Sequence, residues 1–201
     1  MSLVKRLRAS LCDTFDEVGA LAPTNCEGWL AQDLAAHLWL REHRPDALPG
    51  IGWSTFAAYT RRVQVEALHR HGFPRLVLDL RRAASPMGMG PLALAEFLVH
   101  GIDVARPNGI ERELTAGDQA RIWPIADILL RSTARRFGGR VVIRPTTGTA
   151  LALGRGDRPV SIAGAPSEIL YLVAGRLDDA RVDVVAEQSS LDRFRAAVRP
   201  L

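Results

Sequence analysis

The stretch PLALAEFLVHGIDVA, at positions 91–105, most constrains how this chain can fold. It reads as an apolar helix, yet Glu96, His100 and Asp103 stand inside it. Glu96 and His100 are four residues apart and stack on one helix face. Ionisable groups set among Leu94, Phe97, Leu98 and Val99 are costly unless they are paired or bound to a metal. A second segment, D-L-A-A-H-L, repeats the pattern, with His37 among Leu34, Ala35, Ala36 and Leu38. An imidazole from that second helix would complete a three-ligand set with Glu96 and His100. Three protein ligands leave one position for water or substrate, the layout of a catalytic rather than a structural zinc site. Taken singly, each residue has a plainer reading. A histidine on an apolar helix face usually packs in a core, and Glu and His four apart often form a surface pair. The apolar setting of all three is what favours the metal.

The first two thirds of the chain read as helices. Leu3, Leu7, Leu11, Phe15 and Val18 recur every three or four residues as one stripe. Ala22-Pro23-Thr24-Asn25 breaks it. A second helix is expected over 30–43, with Leu34, His37, Leu38 and Arg41 on one side. Pro45, Pro49, Gly50 and Gly52 mark a loop. A third helix is expected over 54–69, with Ser54 as its N-cap, and a short one from Pro74 to Arg82. Residues 84–90 form a loop rich in Gly, Pro and Met, in which Met87-Gly88-Met89-Gly90 could wall a pocket. Pro91 opens the next helix, which stops near Pro107-Asn108-Gly109. A long helix is expected over 116–137, with Pro124 kinking it or delaying its start.

The pattern changes at Gly138-Gly139. Residues 140–144, 150–153, 159–163 and 182–185 read as strands, with helices over 166–175 and 190–198. The expected fold class is therefore α+β: a helical domain over 1–138, then a small α+β unit over 139–201.

Other candidates have local readings. Asp103, three residues past His100, either holds a ligand imidazole or pairs with Arg106 near the helix end; spacing alone leans to the pair. Asp33, four before His37, poses the same question against simple compensation of a helix N-terminus. His43, His69 and His71 suit helix ends, where the dipole favours them. Trp29 reads as a packing anchor. Cys26 lies near a helix start, but with no base in view it reads as a buried, idle thiol.

Composition narrows the partners. The 201 residues are 47% hydrophobic and 24% charged, ordinary for a globular chain. Lys5 is the only lysine among 26 Lys and Arg residues, which reads as codon bias. The arginines are scattered and paired with acids, so nucleic acid is not an expected partner. No run approaches the roughly 20 apolar residues of a membrane span, and acids interrupt the N-terminal segment where a signal core would lie. Two cysteines, Cys12 and Cys26, make no C-x-x-C motif and suit a reduced cytoplasm.

Thr24-Asn25-Cys26-Glu27-Gly28-Trp29, Asp33-Leu34-Ala35-Ala36-His37-Leu38 and the run from Arg41 to Ala47 together resemble the N-terminal signature of mycothiol-dependent maleylpyruvate isomerase-like proteins. These belong to the broader DinB-like metal-binding superfamily. Ala95-Glu96-Phe97-Leu98-Val99-His100, followed by Asp103-Val104-Ala105-Arg106, resembles the second metal segment. The tail is similar to a small sterol-carrier-like domain, and the best match is an uncharacterised actinobacterial subgroup. The resemblance implies a DinB-like four-helix bundle holding a divalent metal, usually zinc (nickel in a recombinant preparation), through His37, Glu96 and His100. It implies mycothiol as co-substrate and a small electrophile as substrate, in a transferase or isomerase reaction. By analogy alone, Arg176 is the arginine expected to contact the cofactor. The subgroup often places a second histidine directly after the ligand histidine; here Gly101 stands there. That departure leaves the three ligands intact but removes an imidazole available as an alternative ligand or acid/base, so the activity of better-known relatives does not carry over with it. Two rival readings stay open: a non-catalytic metal-binding stress or sensor protein, and a small-ligand carrier working through the tail unit.

Overall fold

The computed structural model describes residues 1–48, 54–82 and 91–199. The chain divides into two compact units, Met1–Arg112 and Glu113–Leu201. Among the described residues there are eight α-helices and one four-stranded sheet. None of these helices is long and apolar enough to cross a membrane.

The first unit is helical: α1 (Leu3–Val18), α2 (Ala31–His43), α3 (Ser54–His71), α4 (Phe73–Arg82) and α5 (Pro91–Ala105). The stripe read from α1 is its buried face, with Leu7, Leu11 and Phe15 inside. It packs on α4 and α5, and Phe15 meets Phe73 edge-on at 5.7 Å. Helix α2 packs on α3 and α4. Gly72, at φ +72°, breaks α3 from α4. Helix α5 is buried on all sides from Ala93 to His100, as an apolar helix must be. A buried arginine ties four helices together. Arg8 of α1 pairs with Glu42 of α2 at 2.6 and 2.9 Å, donates to the Leu80 carbonyl of α4 at 2.9 Å, and lies 4.6 Å from the Phe97 ring of α5. The residues after α2 form a 3-10 turn, Pro45–Ala47. The rest of the expected Pro/Gly loop, at 49–53, and the loop at 84–90 with Met87-Gly88-Met89-Gly90 lie outside the described residues.

The second unit begins with α6 (Ala116–Phe137). The sheet follows: β1 (Val141–Pro145), β2 (Leu151–Leu153), β3 (Val160–Gly164) and, after α7 (Pro166–Val173), β4 (Val182–Val185); α8 (Gln188–Ala197) closes the chain. Strand order is β2-β1-β3-β4, with β1 and β3 parallel and both outer pairs antiparallel. Alternation along β1 and β3 buries Val141, Ile143, Val160 and Ile162 on one face. Helices α7 and α8 pack on β3 and on α6.

The border between units differs from the expected one. The change of pattern at Gly138-Gly139 places helix α6 in the helical domain. It belongs instead to the second unit, where Ile122, Ala126, Leu130, Ala134 and Phe137 are buried and Phe137 meets Phe194 at 5.7 Å. A secondary-structure change marks where strands begin, not where a core ends. Pro124 does not delay α6 either. A capping box between Thr115 and Asp118 starts the helix eight residues earlier. Pro124 is exposed, so the carbonyl it leaves without a partner faces water.

Candidate metal centre

Two helices supply the centre. Helix α2 brings His37, and α5 brings Glu96 and His100 one turn apart. All three side chains are buried, and their ligand atoms lie within 4.8 Å of one another. Glu96 Oε2 and His100 Nε2 are 3.5 Å apart, and the rings of His37 and His100 meet near-perpendicular at 5.6 Å. His100 Nε2 and both Glu96 oxygens are buried and make no hydrogen bond. Arg41 reaches Glu96 Oε1 at 3.0 Å, an ion pair without hydrogen-bond alignment. Buried polar atoms left without hydrogen bonds are rare and costly. Glu96 Oε1 is charge-paired, so the two that face each other at one point are Glu96 Oε2 and His100 Nε2. With His37 beside them they fit a divalent ion, and two imidazoles with one carboxylate are a zinc-type donor set.

Behind His100 stands Asp103, fully buried. His100 Nδ1–H donates to Asp103 Oδ2 at 2.9 Å, which orients the ring with Nε2 toward Glu96 Oε2. The Cys26 thiol donates to the same oxygen at 3.2 Å and lies 3.9 Å from His100 Nδ1. So Asp103 bonds the His100 imidazole, the alternative that spacing alone ranks below a pair with Arg106. Burial pushes the His100 imidazole down. Its bond to Asp103, the nearby Cys26 thiol and the charge of the Glu96 carboxylate outweigh that and hold it well above its usual value. Burial likewise pushes the Glu96 carboxyl up, but the neighbouring His100, Arg41 and His37 hold it below the ordinary glutamate range.

The segment 24–29 supports both imidazoles. Thr24 Oγ1 accepts from Cys26 N at 3.1 Å and donates to the Trp29 carbonyl at 2.8 Å, closing a tight turn. Asn25 N donates to the Asp103 carbonyl at 2.9 Å. Trp29 packs on His37 with ring centroids 5.1 Å apart. Cys26 is therefore not idle. It and Arg41 are the two residues that local reading missed. Their partners lie 77 and 55 positions away, so only the heptad-like placement of Arg41 one turn after His37 hinted at a shared face.

The remaining candidates fall elsewhere. Asp33 caps its own helix, accepting from Leu30 N at 3.0 Å. His43 and His71 sit against Trp39 at 4.6 and 5.0 Å, a packing role in addition to their helix-end positions. His69 is exposed. Gly101 lies where a Cβ would meet nothing within 4 Å, so packing does not demand glycine there. Arg176 lies in the second unit, where Nη1 donates to the Ala174 carbonyl at 2.7 Å. Beside Glu96 is a cleft of about 40 Å³ lined by Leu38, Arg41, Glu42, Leu92, Ala93, Glu96 and Phe97.

No family model matches the chain, and no curated protein sequence matches it. Two solved structures share its fold. One is the crystal structure of the mycothiol-dependent maleylpyruvate isomerase, with a TM-score of 0.56, 17% identity, and 90% of each chain covered. The other is a histidine-to-alanine variant described under the same name, with a TM-score of 0.52, 16% identity, and 90% of each chain covered. At these identities the likeness is one of fold.

Proposed function

We propose that this chain is a thiol-dependent metalloenzyme acting on a small electrophilic substrate, in a transfer or isomerisation reaction. In this reading His37, Glu96 and His100 hold one divalent ion, zinc by donor chemistry, and mycothiol is the co-substrate. The observation that carries it is the convergence of three buried ligand groups, His37, Glu96 and His100, within 4.8 Å, with Glu96 Oε2 and His100 Nε2 making no hydrogen bond. The names of the two structures sharing the fold support the thiol. A bound divalent ion supplies a position that favours a thiolate over a thiol near neutral pH. The chain's own residues do the rest. Asp103 keeps the proton on Nδ1 of His100, Trp29 limits the His37 ring, and Leu38, Ala93 and Phe97 line the cleft beside Glu96 with apolar surface.

The first unit is read here as a DinB-like four-helix bundle in which α3 and α4 count as one helix broken at Gly72. The second is read as a sterol-carrier-like unit. Arg176 is proposed as a contact for the polar end of the thiol on resemblance alone. The free thiols of Cys12 and Cys26 suit the cytoplasm.

Elemental analysis of the purified protein tests the metal, with one zinc-type ion per chain expected. Metal content unchanged in the double variant His37→Ala, His100→Ala would sink the reading. Cobalt substitution tests the thiol, because a sulfur-to-cobalt charge-transfer band is expected when mycothiol is added.

A further inference from the structure

The two oxygens of Glu96 do not have the same surroundings. Oε1 faces the Arg41 guanidinium at 3.0 Å, and Oε2 faces His100 Nε2 at 3.5 Å. The second spacing is longer than an ordinary hydrogen bond of about 2.7–3.2 Å. It is close to the separation of two ligands on one zinc ion. Bonds of about 2.0–2.1 Å at a tetrahedral angle put such atoms about 3.3–3.4 Å apart. Arg41 comes from α2, one helical turn past His37, so the helix that supplies one ligand also supplies the group that touches another.

We propose that Arg41 is a positioning residue that sets the denticity of Glu96: it holds Oε1, leaves Oε2 alone to face the metal centre, and so keeps one coordination position open. The inference rests on the metal reading above. A carboxylate that turns both oxygens to an ion takes up the position an incoming thiol needs. An arginine suits the task because its guanidinium stays charged when it is largely buried, as it is here. Arg41 is also left available for it. The adjacent carboxylate, Glu42, is committed to Arg8 at 2.6 and 2.9 Å. Among the described residues the Glu96 ion pair is Arg41's only charged contact. Its side chain keeps 17% of its exposure, at the wall of the cleft beside Glu96.

Cobalt(II) provides the test, because its d–d spectrum reports coordination number apart from any turnover. The wild-type chain is expected to show a four-coordinate spectrum and a sulfur charge-transfer band with thiol. Arg41→Met is expected to keep one cobalt per chain, change the d–d spectrum as the second Glu96 oxygen replaces water, and bind thiol at least about tenfold less tightly. Arg41→Lys should recover part of both. Should the methionine variant fail to fold by circular dichroism, Arg41→Ala is measured in its place with the same expectations. An unchanged spectrum with unchanged thiol affinity overturns the proposal and leaves Arg41 as a charge-balancing group. Loss of cobalt from the neutral variants also overturns it, since Arg41 would then act on ligand affinity rather than on denticity. A wild-type chain that takes up no cobalt overturns the metal reading itself, and this proposal with it.

Discussion

His100 has a carboxylate on each side: Asp103 bonds Nδ1 at 2.9 Å, and Glu96 Oε2 stands 3.5 Å from Nε2. In the metal-free protein its imidazole is held well above 6.5, so a proton competes with a metal for Nε2. The sign follows. A raised folded value adds stability that is complete below the unfolded pKa of about 6.5 and is lost as pH rises through the folded value. Metal affinity runs the other way, weakening as pH falls by up to about tenfold per unit. Competition with a chelator between about pH 6 and 8 checks this; a zinc affinity flat across that range would contradict it. The two thiols divide as sharply. Cys12 is buried, and burial, against Arg81 and Arg8, pushes its thiol up to about 11. At pH 8 about one Cys12 thiol in a thousand is ionised. Alkylation of the native protein should therefore mark Cys26 first and reach Cys12 only on unfolding. Peptide mass spectrometry showing equal labelling would refute that. Of these residues, His37, Glu96 and His100 were legible because charged groups in apolar helices announce themselves. Cys26 and Arg41 were not, because what each touches lies on another element.

Helix α5 shows how much one element carries. It is apolar enough to be buried on all sides, yet it supplies two of the candidate ligands, Glu96 and His100, and the Asp103 carboxylate that bonds His100. Its one weak point is Gly101, which costs helix stability through backbone entropy. A Cβ there would meet nothing within 4 Å. Gly101→Ala should therefore stabilise the protein by about 0.5–1 kcal/mol with metal content unchanged. A chemical denaturation midpoint that falls would show hidden crowding at that turn. Helix ends were the most legible feature of the elements, since prolines, caps and glycines act locally. Gly138, the left-handed residue at φ +69° that closes α6, is such a signal. At Pro124 only the late-start alternative fails: the helix runs over the expected 116–137, and the exposed side of α6 tolerates the proline.

At the scale of the molecule the border between the units matters most. If α6 belongs to the second core, a fragment of residues 113–201 should fold alone, and one of residues 139–201 should not. The shorter fragment lacks Ile122, Ala126, Leu130 and Phe137, and fully burying each large apolar side chain contributes about 1.5–3 kcal/mol. Cooperative melting of the shorter fragment would restore the border at Gly138-Gly139. Sequence alone determined the helix-then-strand order, most element limits and the three candidate ligands. Each of these follows from local periodicity, caps, turns or the misfit of a charge in apolar surroundings. Only the tertiary structure decided which core owns α6, the strand order β2-β1-β3-β4, that Asp103 faces both His100 and Cys26, and that Arg41 takes one oxygen of Glu96. The physical reason is the same in each case. A helix or strand pattern records which face is apolar, but not which of several apolar faces it will meet, and burial and hydrogen bonding are settled only when those faces close.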